Sequence, residues 1–257
     1  MSTFDFNDGN GEVAAKRHIN PNGSEGGWVA DSASVSKSAY IGKDAKIFGK
    51  SCVYGSADVF GNARVFGNAQ VYGDAKVFGN AMVFGKAQLY GKARVFEDAK
   101  VSGEAQLYGK ARVFGKARVF GKARVSESAW VYEGAKIYGK ADVYENASVF
   151  GNAQLYGKAL VYGNALVYGN ALVYGNALVY GNALVYGKAD VYENASVFGD
   201  ARVFEKAWVY GNALIRGKSR IKGSSKTNKG IFQFDFNYSF VEEFEKIEEK
   251  ELTNEKV

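Results

Sequence analysis

Few side chains in this 257-residue sequence could do chemistry. There is one histidine, His18, and one cysteine, Cys52. A lone thiol excludes a disulfide framework and a thiolate zinc cluster, and a lone imidazole excludes any site built on two. His18 stands in a polar lead-in, where a capping or surface role competes with that of a general base. Cys52 immediately precedes the aliphatic Val53 and has no histidine near it in the sequence, so an inert thiol is expected rather than a nucleophile. Carboxylate pairs such as Glu97-Asp98 fall at turn positions and read as solvated charge. The 32 glycines follow no phosphate-binding pattern and are accounted for by chain bending. No catalytic residue, metal ligand or cofactor is expected.

The elements that carry these residues come from a repeat. An aliphatic residue recurs every six positions from Val29 to Ile221, giving 33 uninterrupted hexads. Two positions before it stands Ala in 30 of them, with Gly27, Ser51 and Ser219 as exceptions, and two positions after it stands Gly in 24. The unit is Ala-x-Val-(Tyr/Phe)-Gly-x, as in Ala165 to Asn170. In an extended chain residues two apart share a face, so Ala and Val point to one side and their neighbours to the other. Gly allows a positive φ where the chain bends, and the Asn that often follows tolerates the same region. A helix is incompatible with apolar residues six apart and a glycine in every unit. One hexad cannot bury its Ala/Val face alone, whereas stacked coils form a continuous core. Residues 70–85, 88–103 and 106–121 align at a shift of 18, so three hexads make one coil. The expected fold is all-β, a triangular prism of about 11 coils, roughly 50 Å long at about 4.8 Å per coil.

This pattern resembles the hexapeptide-repeat proteins, and the resemblance covers residues 27–224. It implies a left-handed parallel β-helix; the hand is taken from the resemblance, since crossover rules favour the opposite one. The entry segment from His18 to Ala30, followed by VYGNA-type hexads, is similar to bacterial and prophage-borne repeat proteins, some of them labelled acyltransferases. Enzymes of the hexapeptide-repeat family are mostly acyl-CoA-dependent acyltransferases, commonly with a histidine base on an inserted loop, or gamma-class carbonic anhydrases with three metal-binding histidines. This repeat contains no histidine and no inserted loop. The resemblance therefore carries the fold, and an acyltransferase working through His18 or a site completed by another subunit is the alternative function.

The residue after each core aliphatic points outward and is aromatic in 26 of the 28 hexads from Phe48 to Tyr210; Ser102 and Ser126 are the breaks. At a shift of 18 these rings form ladders such as Tyr54, Tyr72, Tyr90, Tyr108, which stabilise the coils or offer a binding platform. The position before the aliphatic varies. Residues 86–124 carry ten basic and three acidic side chains, and Lys92, Arg94, Lys100, Arg112, Arg118 and Arg124 could meet a polyanion or glycan. The competing expectation is a solvated surface, because the charge wraps several faces. Farther on the same position is Leu160, Leu166, Leu172, Leu178 and Leu184, which with Tyr162, Tyr168, Tyr174 and Tyr180 forms an apolar belt around the prism. Self-association or docking of a protein partner is expected there.

Charge and composition separate the ends from the body. Residues 28–226 carry net +12, residues 1–27 net −2 and residues 229–257 net −4. Residues 1–26 should form an N-terminal lead-in or cap, 27–224 the solenoid, and 225–257 a C-terminal aromatic strand with an acidic helical tail. The basic run Lys222 to Lys229 reads as a loop; Phe232, Phe234, Phe236, Tyr238 and Phe240 then alternate like a strand. With no secretory signal and no stretch of roughly 18 apolar residues, a cytoplasmic protein without membrane contact is expected. The function that follows is a non-catalytic, rigid structural or protein-interaction module.

Overall fold

The computed structural model describes residues 2–229 and the backbone of 231–234. Among these residues every regular element is a strand. Three strands open the chain: β1 (Thr3–Asp5), β2 (Glu12–Ile19) and β3 (Glu25–Ala30). β1 and β3 both pair antiparallel with β2, and β3 leads into the first coil by pairing parallel with Lys46–Ile47. From there the chain is a parallel β-solenoid of about 11 turns. Its three sheets of 14, 12 and 11 strands take successive hexads in rotation. We call them face 1 (beginning β1, β2, β3), face 2 (from Ser34–Val35) and face 3 (from Tyr40–Ile41).

The repeat strands are mostly two residues long, because the hexad leaves only that much chain between corners. Each pairs with the strand 18 residues away, as Arg112 with Arg94 and Trp130. Backbone bonds run from coil to coil: Arg112 N donates to Ala129 O at 2.9 Å and Phe114 N to Val131 O at 3.0 Å. Inside the prism the Ala column from Ala57 to Ala213 and the aliphatic column from Ile41 to Ile215 have zero exposure. Burying one Val side chain contributes roughly 2 kcal/mol, so the column outweighs any single outer contact. Ser51 takes an Ala position without penalty because its Oγ donates to Phe48 O at 2.9 Å and lies 3.2 Å from Val65 O.

The corners assign different work to Gly and Asn than the sequence suggests. Gly takes the positive φ, +73° at Gly163 for example, but no Asn of the repeat does; among the described residues the other positive-φ positions are Asn7 and six glutamates. The repeat asparagines instead form side-chain ladders 18 residues apart. Asn164 Nδ2 donates to Asn182 Oδ1 at 3.2 Å, and Asn182 Nδ2 to Asp200 Oδ1 at 2.9 Å. Where Glu replaces Gly, its carboxylate can capture an N–H of the next coil: Gly115 N donates to Glu97 Oε2 at 2.9 Å and Gly211 N to Glu193 Oε2 at 2.8 Å.

Both ends depart from the repeat. At the N-terminal end Ile41 has no coil beneath it, and Asn20 supplies the missing partners. Ile41 N donates to Asn20 Oδ1 at 2.8 Å, and Asn20 Nδ2 donates to Ile41 O at 3.2 Å. At the other end the run 222–229 is not simply a loop. Lys226–Thr227 extends face 1 by pairing with Trp208–Val209, and Thr227 occupies the core position six residues after Ile221, buried like its predecessors. A polar residue there hid the last hexad from the sequence pattern. Ile231–Phe234 then pairs parallel with Leu214–Gly217 at the edge of face 2. This covers the first part of the expected aromatic strand; Phe236, Tyr238, Phe240 and the expected helical tail lie outside the described residues.

Candidate interaction surface

Each face carries one column of side chains before the core aliphatics and one ladder of rings after them. Ring centroids within a ladder are 4.7 to 5.1 Å apart and nearly parallel. This is the coil repeat itself, so each ring is placed by the backbone below it. Stacking also hides the ring faces: Tyr162, Tyr168, Tyr174 and Tyr180 are half-buried and expose chiefly their edges. Burial raises the phenol pKa of many of them, with neighbouring tyrosines adding to it, and Tyr174 is pushed up to about 12. A phenol whose folded pKa lies above its unfolded value holds its stabilising contribution below pH 10 and loses it as pH rises through the folded value. The protein should therefore lose stability between about pH 10 and 12. Phenolate absorbance should rise together with loss of strand circular dichroism, and a Tyr174 phenol titrating near pH 10 in the intact fold would contradict this.

The Leu belt is where the register put it. Leu160 pairs with Leu178 on face 2 and Leu166 with Leu184 on face 3, while Leu172 on face 1 lies between Gln154 and Asp190. All five are half-buried, covered by their neighbours along the column. The belt is thus a band about two coils high on faces 2 and 3, bounded by Asp142 and Ser196 on the former and by Ser148 and Arg202 on the latter.

The basic residues are not gathered into one groove. Arg94 and Arg112 adjoin on face 3, Lys100 and Arg118 on face 1, and Lys92 stands at a corner. Arg112 lies over the Trp130 ring at 4.9 Å. Arg124, on face 2, is committed to the Asp142 carboxylate through both Nε, at 3.0 Å, and Nη2. Its pKa is raised by that hydrogen-bonded pairing. A cavity of about 330 Å³ opens beside this pair, lined by Tyr108, Arg124, Ser126, Glu127, Asp142, Tyr144 and Leu160. A second, of about 430 Å³, is more polar and lies among Asn182, Leu184, Asp200, Arg202, Lys218 and Arg220.

His18 sits on β2 with its Nε2 3.0 Å from Ala39 O, so it joins the N-terminal strands to the first coil. Cys52 is half-buried on face 2, its Sγ 4.0 Å from Lys50 O. Among the described residues no three His, Cys, Asp or Glu side chains converge, and no helix is long and apolar enough to cross a membrane.

One feature of the ladders had no obvious sequence signal. On face 1 the rung below Phe48 belongs to Ala30, which has no ring. Phe6, from the turn after β1, fills it, its centroid 4.9 Å from that of Phe48, while Phe4 stacks on Trp28 at 4.6 Å. Arg64 Nη2 donates to Phe6 O at 2.9 Å and fastens the segment. The N-terminal segment thus completes a ladder from outside the repeat.

A family model described as the YdcK beta solenoid repeat matches residues 59–73, 153–169, 159–175, 165–180 and 171–187. Among solved structures the chain is similar to Arabidopsis UDP-N-acetylglucosamine acyltransferase, with 15% identity, a TM-score of 0.34 and 69% of each chain covered. No curated protein matches the chain.

Proposed function

We propose that this repeat β-solenoid is a rigid protein-interaction module working through its Leu/Tyr belt, without catalysis of its own. The carrying observation is the band itself: five leucines, distributed over all three faces, join the tyrosine ladders at a level of the prism where the positions before the core aliphatics are elsewhere mostly polar or charged. Contiguous apolar surface of this kind marks contact sites, and a backbone bonded coil to coil presents it without an ordering cost. Part of the same reading are a cytoplasmic setting and kinship with bacterial and prophage-borne VYGNA-repeat proteins, supported by the entry segment and the hexads. The competing reading is an acyl-CoA-dependent acyltransferase. It would draw its base from His18, whose Nε2 is held against Ala39 O.

Replacing Leu160, Leu166, Leu172, Leu178 and Leu184 together by Lys should lower the mass measured by light scattering to that of a single chain while leaving the circular dichroism of the solenoid intact. An unchanged mass would remove the belt as the contact surface.

A further inference from the structure

The ladder on face 2 runs through Tyr90 and Tyr108, breaks at Ser126, and resumes with Tyr144 and Tyr162. One rung is missing. The two flanking rings stand two coil steps apart, roughly 10 Å at the ladder spacing. That gap admits one ring stacked on both sides, and both tyrosines line the cavity that opens there. Ser126 itself is buried, with 5% exposure.

The protein shows how such a rung is filled. At Ala30 the segment Phe4-Asp5-Phe6-Asn7 supplies Phe6 from outside the repeat, and an arginine binds its carbonyl. The same four residues recur as Phe234-Asp235-Phe236-Asn237. This second copy of the motif cannot reach Ser126 of its own chain. Gln233 pairs with Arg216 on face 2, six coil steps above the Ser126 rung, roughly 29 Å. Phe236 lies only three residues beyond Gln233, roughly 10 Å of extended chain.

We propose that the Ser126 rung is a socket for Phe236 of a second copy of this chain, in an antiparallel dimer formed through face 2. Four observations converge on it. The gap is one ring thick and has a ring above and below. The segment that would enter it is identical to one that already fills a rung. Residues 229–257 carry net −4 against the net +12 of residues 28–226, so tail and body attract. Finally, a two-fold axis that places each tail at the other copy's socket must cross face 2 midway between them. That point is three steps above Ser126, at the Tyr180 rung, where Leu160 and Leu178 are paired. The axis thus lands on the Leu belt, and an isologous contact closes the dimer without leaving open ends. At the socket Arg124 has guanidinium N–H groups beyond the two held by Asp142, and these can bind a carbonyl of the entering segment as Arg64 binds that of Phe6.

The inference rests on the belt reading and deepens it. It is tested on the full-length chain by sedimentation equilibrium over a range of concentrations. The wild-type chain should dimerise. Ser126→Tyr, which completes the ladder in place, and Phe236→Ser, which removes the entering ring, should each weaken dimerisation by at least about tenfold. Ser102→Phe, which fills the other vacant rung, on face 1, should leave it unchanged. Dimerisation that survives both Ser126→Tyr and Phe236→Ser would overturn the proposal, as would equal weakening by Ser102→Phe or a wild-type chain that stays monomeric. If the five-leucine variant dissociates while Ser126→Tyr and Phe236→Ser do not, the socket is wrong and the belt reading stands.

Discussion

Val131→Asp should cost the protein on the order of 5 kcal/mol and lower its melting temperature by more than about 10 °C. Val131 has zero exposure, and its strand is sandwiched between those of Val113 and Val149. The other core columns around it are Ala and aliphatic, so a carboxylate would find no donor and no counter-charge. Val131→Ala, which only leaves a cavity, should cost about 2 kcal/mol; the excess in the Asp variant measures the buried charge. The site lies near mid-rod, and each coil touches only its neighbours, so the lesion divides the solenoid into two arms that no longer support one another. Thermal unfolding by circular dichroism should split or broaden, and limited proteolysis should cut first near the corners flanking 131. A melting temperature within a few degrees of the wild type would show that the axis admits water or a partner group absent from this structure.

The second large effect is expected at a corner, where two neighbouring positions should respond with opposite signs. Gly163 has φ +73°, and a Cβ there would stand 2.8 Å from Gly181 N and 2.9 Å from Gly181 O. Those atoms belong to backbone that bonds coil to coil and cannot withdraw. Gly163→Val should therefore destabilise by about 3 kcal/mol, from the left-handed penalty of about 1–2 kcal/mol together with the clash. One coil earlier Glu145 occupies the equivalent corner at φ 58°. Glu145→Gly should stabilise by about 0.5–1 kcal/mol by releasing that strain, and it also thins a column in which Glu127 precedes Glu145 at the same corner. Urea unfolding of the two variants gives the signs directly. If both destabilise, the glutamates earn their place through contacts that outweigh their backbone strain.

Much of this architecture was legible because a hexad is a local object. Ala and Val two apart, followed by Gly, encode one strand and one corner, and the 18-residue recurrence of Tyr54, Tyr72, Tyr90 and Tyr108 encodes how many corners close a coil. Legibility failed where the pattern is completed by residues outside it. Thr227 continues the core column with a polar side chain, so the last strand of face 1 looked like loop. The repeat asparagines read as turn formers, whereas their spacing of 18 was already the signal for an amide ladder. That the basic residues of 86–124 wrap several faces follows from the register alone, whereas the commitment of Arg124 to Asp142 is set by the side chains that meet across neighbouring coils.

The scarcity of chemistry in the side chains, the periodicity and the coil length were all decided by the sequence alone, because they depend on residue type and on spacings within about 18 positions. What only the tertiary structure decided is which residues meet across long separations. Phe6 completes the ladder over Phe48, Asn20 serves as the missing coil under Ile41, and the break at Ser126 opens a cavity lined by Tyr108 and Tyr144. A one-dimensional repeat specifies its own interior neighbour by neighbour. Its ends and its gaps have no neighbour in register, and what fills them is set by how the chain folds back in space.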